Sequence, residues 1–168
     1  MKFTKRLAMT VVAALLALGA LSIAGCATTA TTDPQADAQA QNRQYMTQVN
    51  QTMEDLADRL DSFNDAVSRG DVVTMRGEAD NAYKCISSLE SLEAPEALAD
   101  IKQGYVDGCN DLKGALDSYI SLYAEIESAT DAAPFDYSTF EGRVQEIQSL
   151  YDQGIAKLQE ADDKATAA

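Results

Sequence analysis

Four stretches of this chain place apolar residues at alternating spacings of three and four. That periodicity builds a helix with one apolar stripe, and such a stripe is stable only when buried against other helices. The first stripe is Met46, Val49, Met53, Leu56, Leu60, Phe63 and Val67. The second is Val72, Met75, Ala79, Ala82, Ile86 and Leu89. The third and longest is Leu98, Ile101, Tyr105, Gly108, Leu112, Ala115, Tyr119, Leu122 and Ile126, and the fourth is Phe140, Val144, Ile147, Tyr151, Gly154, Leu158 and Ala161. No sustained period-two alternation competes for a strand reading. Four stripes with short links predict an all-α fold, an up-down-up-down four-helix bundle over residues 42–168.

The links carry their own chemistry. Gly70 suits the left-handed stop of the first helix, and Asp71 can cap the second by accepting a backbone N–H. Pro95 forces Ala94 out of helical conformation and suits the first turn of the third helix. Residues 129–134 form the longest internal loop, punctuated by Asp131 and Pro134. Ser138 and Glu141 match a capping box ahead of the fourth helix.

Upstream of the bundle, Lys2, Lys5 and Arg6 precede an uncharged, mostly apolar run from Leu7 to Ile23. This is the layout of a secretory signal. The run ends in Ile23-Ala24-Gly25-Cys26, which resembles the lipobox of bacterial lipoproteins. The resemblance implies a diacylglyceryl thioether on Cys26, loss of residues 1–25 as signal peptide, and a protein anchored to the cell membrane by lipid and facing outside the cytoplasm. The alternative is an uncleaved anchor, although the run sits at the low edge of the ~17–25 residues that cross a bilayer and Arg43 is the next basic residue. Residues 26–41, the lipidated cysteine followed by ATTATTDPQADAQAQ, lack large apolar side chains and are expected to form a disordered tether. Such a coil would hold the domain ~20 Å from the lipid, with helix able to creep back from about Ala36.

The leader holds three of the 13 Lys and Arg and none of the 27 Asp and Glu, so the chain from Cys26 onward carries a net charge of −17. A domain this acidic repels phosphate backbones, which argues against nucleic acid as a partner, and it also repels anionic lipid headgroups. Solubility is the plainer use of such charge.

Cys85 and Cys109 fall on the second and third helices, either side of the Pro95 turn. Outside the cytoplasm, disulfides persist, and a bridge is the leading reading. Counting from the turn, Cys85 lies ~9 Å below the end of its helix and Cys109 ~21 Å down the next, while three extended residues between them add up to ~10 Å. The levels nearly match, and closure would contribute ~3.5 kcal/mol in the chain-entropy model. Gly104 and Gly108 would let the backbones approach beside Cys109. Two free buried thiols are the alternative.

The chain has no histidine. That removes His-ligated haem, Glu-x-x-His di-iron sites, His-type zinc sites and Ser-His-Asp catalysis. The four stripes hold no Asp or Glu, so no inward carboxylate is expected for acid–base work, and neither a metal nor another cofactor is expected. The acid pairs Glu125 with Glu127 and Asp162 with Asp163 read as solvated faces. Tyr105, Tyr119 and Tyr151 lie on the inward stripes. They are either core-edge residues with hydroxyls bonded to water or backbone, or the lining of a candidate ligand pocket to which Gly108 and Gly154 lend room.

Leu92-Glu93-Ala94-Pro95-Glu96-Ala97-Leu98 resembles a turn of small helical bacterial lipoproteins, in which Ala-Pro-Glu joins two long helices. That resemblance implies a class and assigns no activity. The expectation is a non-catalytic, membrane-anchored envelope protein whose bundle binds or scaffolds an unidentified envelope component. The alternative is a small-molecule binder with a pocket in the bundle core.

Overall fold

The computed structural model describes residues 34–167, so the leader, the lipobox and Cys26 lie outside the described residues. Four helices account for most of the chain: α1 (Pro34–Arg69), α2 (Val72–Ser91), α3 (Ala99–Ser128) and α4 (Phe140–Ala167), with a short 3-10 turn at Glu96–Leu98. No strand occurs among the described residues, and none of their helices is long and apolar enough to cross a membrane. Each helix runs antiparallel to the one before it, which makes the up-down-up-down bundle that the four stripes predict.

Local chemistry sets the helix ends. At the end of α1, Gly70 takes a φ of 66°. Its N–H bonds the Val67 carbonyl, and the Asp71 N–H bonds that of Ala66, both at 3.0 Å. This paired closure is a Schellman motif, and the positive φ is why glycine stands there. Asp71 then caps α2: its carboxylate accepts from the Thr74 N–H at 3.0 Å and the Thr74 hydroxyl at 2.6 Å. These bonds hold its pKa below the usual carboxylate value, the hydroxyl bond first and the backbone bond second.

Three boundaries differ from the sequence reading. Residues 34–41, assigned to the tether, form the exposed first turns of α1. Pro34 at the first helical position and the Ala-rich stretch behind it favour helix over coil. Pro95 precedes the 3-10 turn rather than opening α3 directly, with the Leu98 N–H bonded to its carbonyl at 2.8 Å. The Ser138–Glu141 capping box does not form. Instead the Asp136 carboxylate accepts from both the N–H and the hydroxyl of Ser138, at 2.9 and 2.6 Å, and α4 starts two residues later. An aspartate two residues upstream offers a tighter local ring than a glutamate reaching back.

The core follows the stripes closely. All six residues of the second stripe are buried, and Val49, Leu56, Met75, Leu89, Leu112 and Leu122 are at most 1% exposed. Tyr45, Ala66, Cys109 and Leu116 widen the stripes, whereas Met46, Met53, Val67, Ile126, Phe140 and Val144 are only half-buried. No charged or polar residue type is buried among the described residues. α1 packs chiefly on α2 and α3 chiefly on α4, so the bundle consists of two helical hairpins joined through a smaller α2–α3 interface. The ring of Phe63 on α1 meets Tyr119 on α3 edge-on, with centroids 6.0 Å apart, and links the hairpins across the core.

The backbones of α3 and α4 approach each other closely at Gly108 and Gly154. A Cβ built on Gly154 would lie 2.9 Å from the Gly108 carbonyl oxygen, and one on Gly108 would lie 2.9 Å from that of Gly154. At Gly104 a Cβ would lie 3.2 Å from the Ala161 Cβ. These glycines therefore seat α4 on α3. They neither bring α2 close beside Cys109 nor leave room beside the tyrosines, because the facing helix fills the space.

Candidate functional site

The inward tyrosines are core residues. Tyr105 is 1% exposed, Tyr119 5% and Tyr151 9%. The Tyr105 hydroxyl donates to the Asp162 carboxylate on α4. The Tyr119 hydroxyl lies 3.4 Å from that of Tyr123, whose ring stacks on its own with centroids 4.9 Å apart. Tyr151 is buried close to Asn64 and Asp61 of α1. All three phenols are pushed above their ordinary pKa, mainly by burial. The next contributor is Asp162 for Tyr105, the Tyr123 hydroxyl for Tyr119 and the Asp61 charge for Tyr151. Their protons stay on across the physiological range, so the hydroxyls act as hydrogen-bonding groups and not as bases.

Two depressions of about 470 Å³ each open on the surface. One runs along α4 beside Gln145, Gln148, Ser149, Asp152, Gln153 and Ala156. The other lies between α3 and α4, beside Asp117, Ser118, Ser121, Arg143, Glu146, Ile147 and Leu150. Neither is lined by Tyr105, Tyr119 or Tyr151.

Asp162 is a residue that sequence reasoning placed wrongly. It was expected on a solvated face with Asp163, yet it is half-buried and accepts from Tyr105. The available signal was its position next to Ala161, on the inward edge of the fourth stripe. Glu125, expected with Glu127 on a solvated face, is exposed, and there it reaches Arg143 on α4 through two bonds of 2.5 and 2.8 Å. The Arg143 hydrogen bond holds its carboxyl below the ordinary value. Tyr45 was overlooked although it stands four residues before Val49. It is 3% exposed, and its hydroxyl has no hydrogen-bond partner among the described residues.

Cys85 and Cys109 are free thiols in this structure, so the bridge expected from the sequence is not formed in it. Cys109 is fully buried, and its thiol is pushed up to about 12, first by burial and then by Glu90 and Cys85. Cys85 is half-buried, and its charged neighbours are Asp55 and Arg59 of α1. The two thiols are thus near one another but differ in exposure. Among the described residues, no group of three or more His, Cys, Asp or Glu side chains could hold a metal ion.

No protein-family model, curated protein or solved structure matches the chain.

Proposed function

We propose that the chain is a non-catalytic envelope lipoprotein, held on the cell membrane by lipid on Cys26 and facing outside the cytoplasm. Its helical bundle binds or scaffolds another envelope component. The observation that carries this reading is the run of Lys2, Lys5 and Arg6, an apolar stretch, and Ile23-Ala24-Gly25-Cys26. Ala24 and Gly25 are small enough to enter a peptidase cleft as extended chain, and the next residue supplies the thiol that a thioether-forming transferase needs.

The bundle supports a presenting role. α1 is 36 residues long, about 54 Å at 1.5 Å per residue, and its exposed residues 34–41 form a helical stalk between tether and core. The α1–α2 turn and the α3–α4 loop lie together at the end opposite Pro34. That end carries the two most exposed large apolar side chains among the described residues, Val73 at 81% and Tyr137 at 69%. Phe135 packs edge-on against Tyr137 and Phe140, at 5.0 and 6.5 Å, and stiffens the loop that displays Tyr137. A partner would therefore meet the end farthest from the lipid, and the acidic body of the domain disfavours nucleic acid as that partner.

Partition between detergent and aqueous phases tests the anchor. The wild-type protein should enter the detergent phase with a diacylglyceryl group on an N-terminal Cys26, and Cys26→Ala should keep residues 1–25 and incorporate no labelled fatty acid. If intact-mass measurement shows that the wild-type protein in the detergent phase retains residues 1–25 and carries no lipid, the leader is a spanning anchor and the lipoprotein reading fails.

A further inference from the structure

The end of the bundle opposite Pro34 divides its charge between two corners. At the α1–α2 corner, Arg69 and Arg76 are exposed, and neither forms a salt bridge among the described residues. Asp71, the acid of that turn, is engaged by the Thr74 N–H and hydroxyl. Val73 stands on the same corner, three residues before Arg76, and is 81% exposed. The α3–α4 corner has the opposite character. Glu127, Asp131, Asp136 and Glu141 are all exposed there. No Lys or Arg occurs between Lys113 and Arg143, and Arg143 is taken up by Glu125. Tyr137 is the exposed apolar residue of this corner, on a loop stiffened by Phe135. One end of the molecule thus carries a basic half and an acidic half, each with one exposed apolar side chain. A surface of that kind complements itself when a two-fold axis lays the basic half of one copy on the acidic half of another.

We propose that this end takes a second copy of the chain, tip to tip about a two-fold axis, with Arg69, Val73 and Arg76 of each copy set against Asp131 and Tyr137 of the other. The pairing rests on the two corners, whereas the membranes it joins rest on the lipoprotein reading. Charge complementarity selects this occupant: an acidic partner meets repulsion at the α3–α4 corner, and a basic one meets it at Arg69 and Arg76. Each copy carries −17 from Cys26 onward, which opposes side-by-side association. A contact confined to the tips points the two acidic bodies apart, and screening over about 8 Å mutes what repulsion remains. The end of a four-helix bundle, roughly 20–25 Å across, offers on the order of 400–500 Å² per copy, the size of a weak interface. Many anchored copies acting together raise its effective strength. Because the stalks of a tip-to-tip pair point in opposite directions, the two anchors lie in facing membranes and not side by side in one.

The test uses the full-length protein purified from membranes and reconstituted into phosphatidylcholine vesicles, whose neutral surface adds no attraction of its own. Energy transfer between vesicles labelled with two dyes reads their clustering. Vesicles bearing the wild-type protein should cluster at low salt. One variant, Arg69→Glu with Arg76→Glu, makes both corners acidic. Another, Glu127→Lys with Asp131→Lys, makes both basic and leaves the Asp136 bonds to Ser138 in place. Each variant alone should lose clustering, since like charges then face one another. A mixture of vesicles bearing one variant with vesicles bearing the other should cluster again, because each corner regains an opposite charge, and this recovery also shows that both variants are folded. Tyr137→Ala should weaken clustering in the wild-type background. Wild-type vesicles that stay dispersed, or a mixture that clusters no more than either variant alone, would overturn the pairing. Intact mass of the same preparation reads the anchor separately: clustering through a chain that retains residues 1–25 and carries no lipid would support the pairing and overturn the lipoprotein reading.

Discussion

Replacing Gly154 with alanine isolates the contact that holds α3 to α4. In a helix interior, Gly→Ala is ordinarily favourable by ~1 kcal/mol, because alanine has less backbone freedom to lose on folding. Gly77 on α2 is the control: it is exposed, and a Cβ there would meet nothing within 4 Å. Gly77→Ala should gain most of that increment. At Gly154 the new Cβ would lie 2.9 Å from both the Gly108 carbonyl oxygen and the Leu112 Cγ. Leu112 is fully buried, and the carbonyl belongs to a helix backbone, so neither can move without parting the helices. Overpacking of this kind costs about 1–3 kcal/mol. The net effect of Gly154→Ala should be a loss of ~0.5–2 kcal/mol, opposite in sign to Gly77→Ala. For a domain of this size that is a fall of several degrees against a rise of ~2–4 °C. Urea titration followed by far-ultraviolet circular dichroism, on protein expressed without residues 1–26, would measure both. Equal stabilisation by the two substitutions would refute the backbone approach at Gly108 and Gly154.

Two further sets of variants probe polar groups. Tyr105→Phe removes the hydroxyl bonded to Asp162 and should cost ~1–2 kcal/mol, whereas Tyr45→Phe removes a buried hydroxyl with no partner among the described residues and should be neutral or stabilising. The same urea titrations would show the opposite ranking if the hydroxyl of Tyr45 were the one under tension-free pairing. Asp71 has a folded pKa depressed below its ordinary 3.8, so its capping contribution is complete above that value and is lost as pH falls through the lowered one. Asp71→Ala should therefore be less stable than wild type at pH 7, and the gap should close below about pH 3.8 as the wild-type carboxylate protonates. A gap that persists unchanged at low pH would contradict the charged cap.

Much of the fold was legible in particular residues. Val72, Met75, Ala79, Ala82, Ile86 and Leu89 were read from spacing alone and are all buried, and Gly70 and Asp71 end and start helices as their chemistry dictates. Such features are local. A stripe depends on the helical repeat, and a cap on a few neighbouring backbone groups, so a single chain segment contains the information. The inward placement of Tyr105, Tyr119 and Tyr151 was legible for the same reason. Their partners were not, because Asp162 reaches Tyr105 from a helix 57 positions away in the chain.

The sequence by itself determined that the described chain is helical, where its helices turn, and which face of each one avoids water. Only the tertiary structure decided which helices touch most closely. Gly108 could have served an α2–α3 approach with Gly104 or a pocket with Gly154, and its meeting with Gly154 depends on how α3 and α4 pack together. Likewise, two cysteines at matching levels could be bonded or free. The structure turns Cys85 toward Asp55 and Arg59 while Cys109 stays in the core, because side-chain direction depends on every neighbouring helix at once.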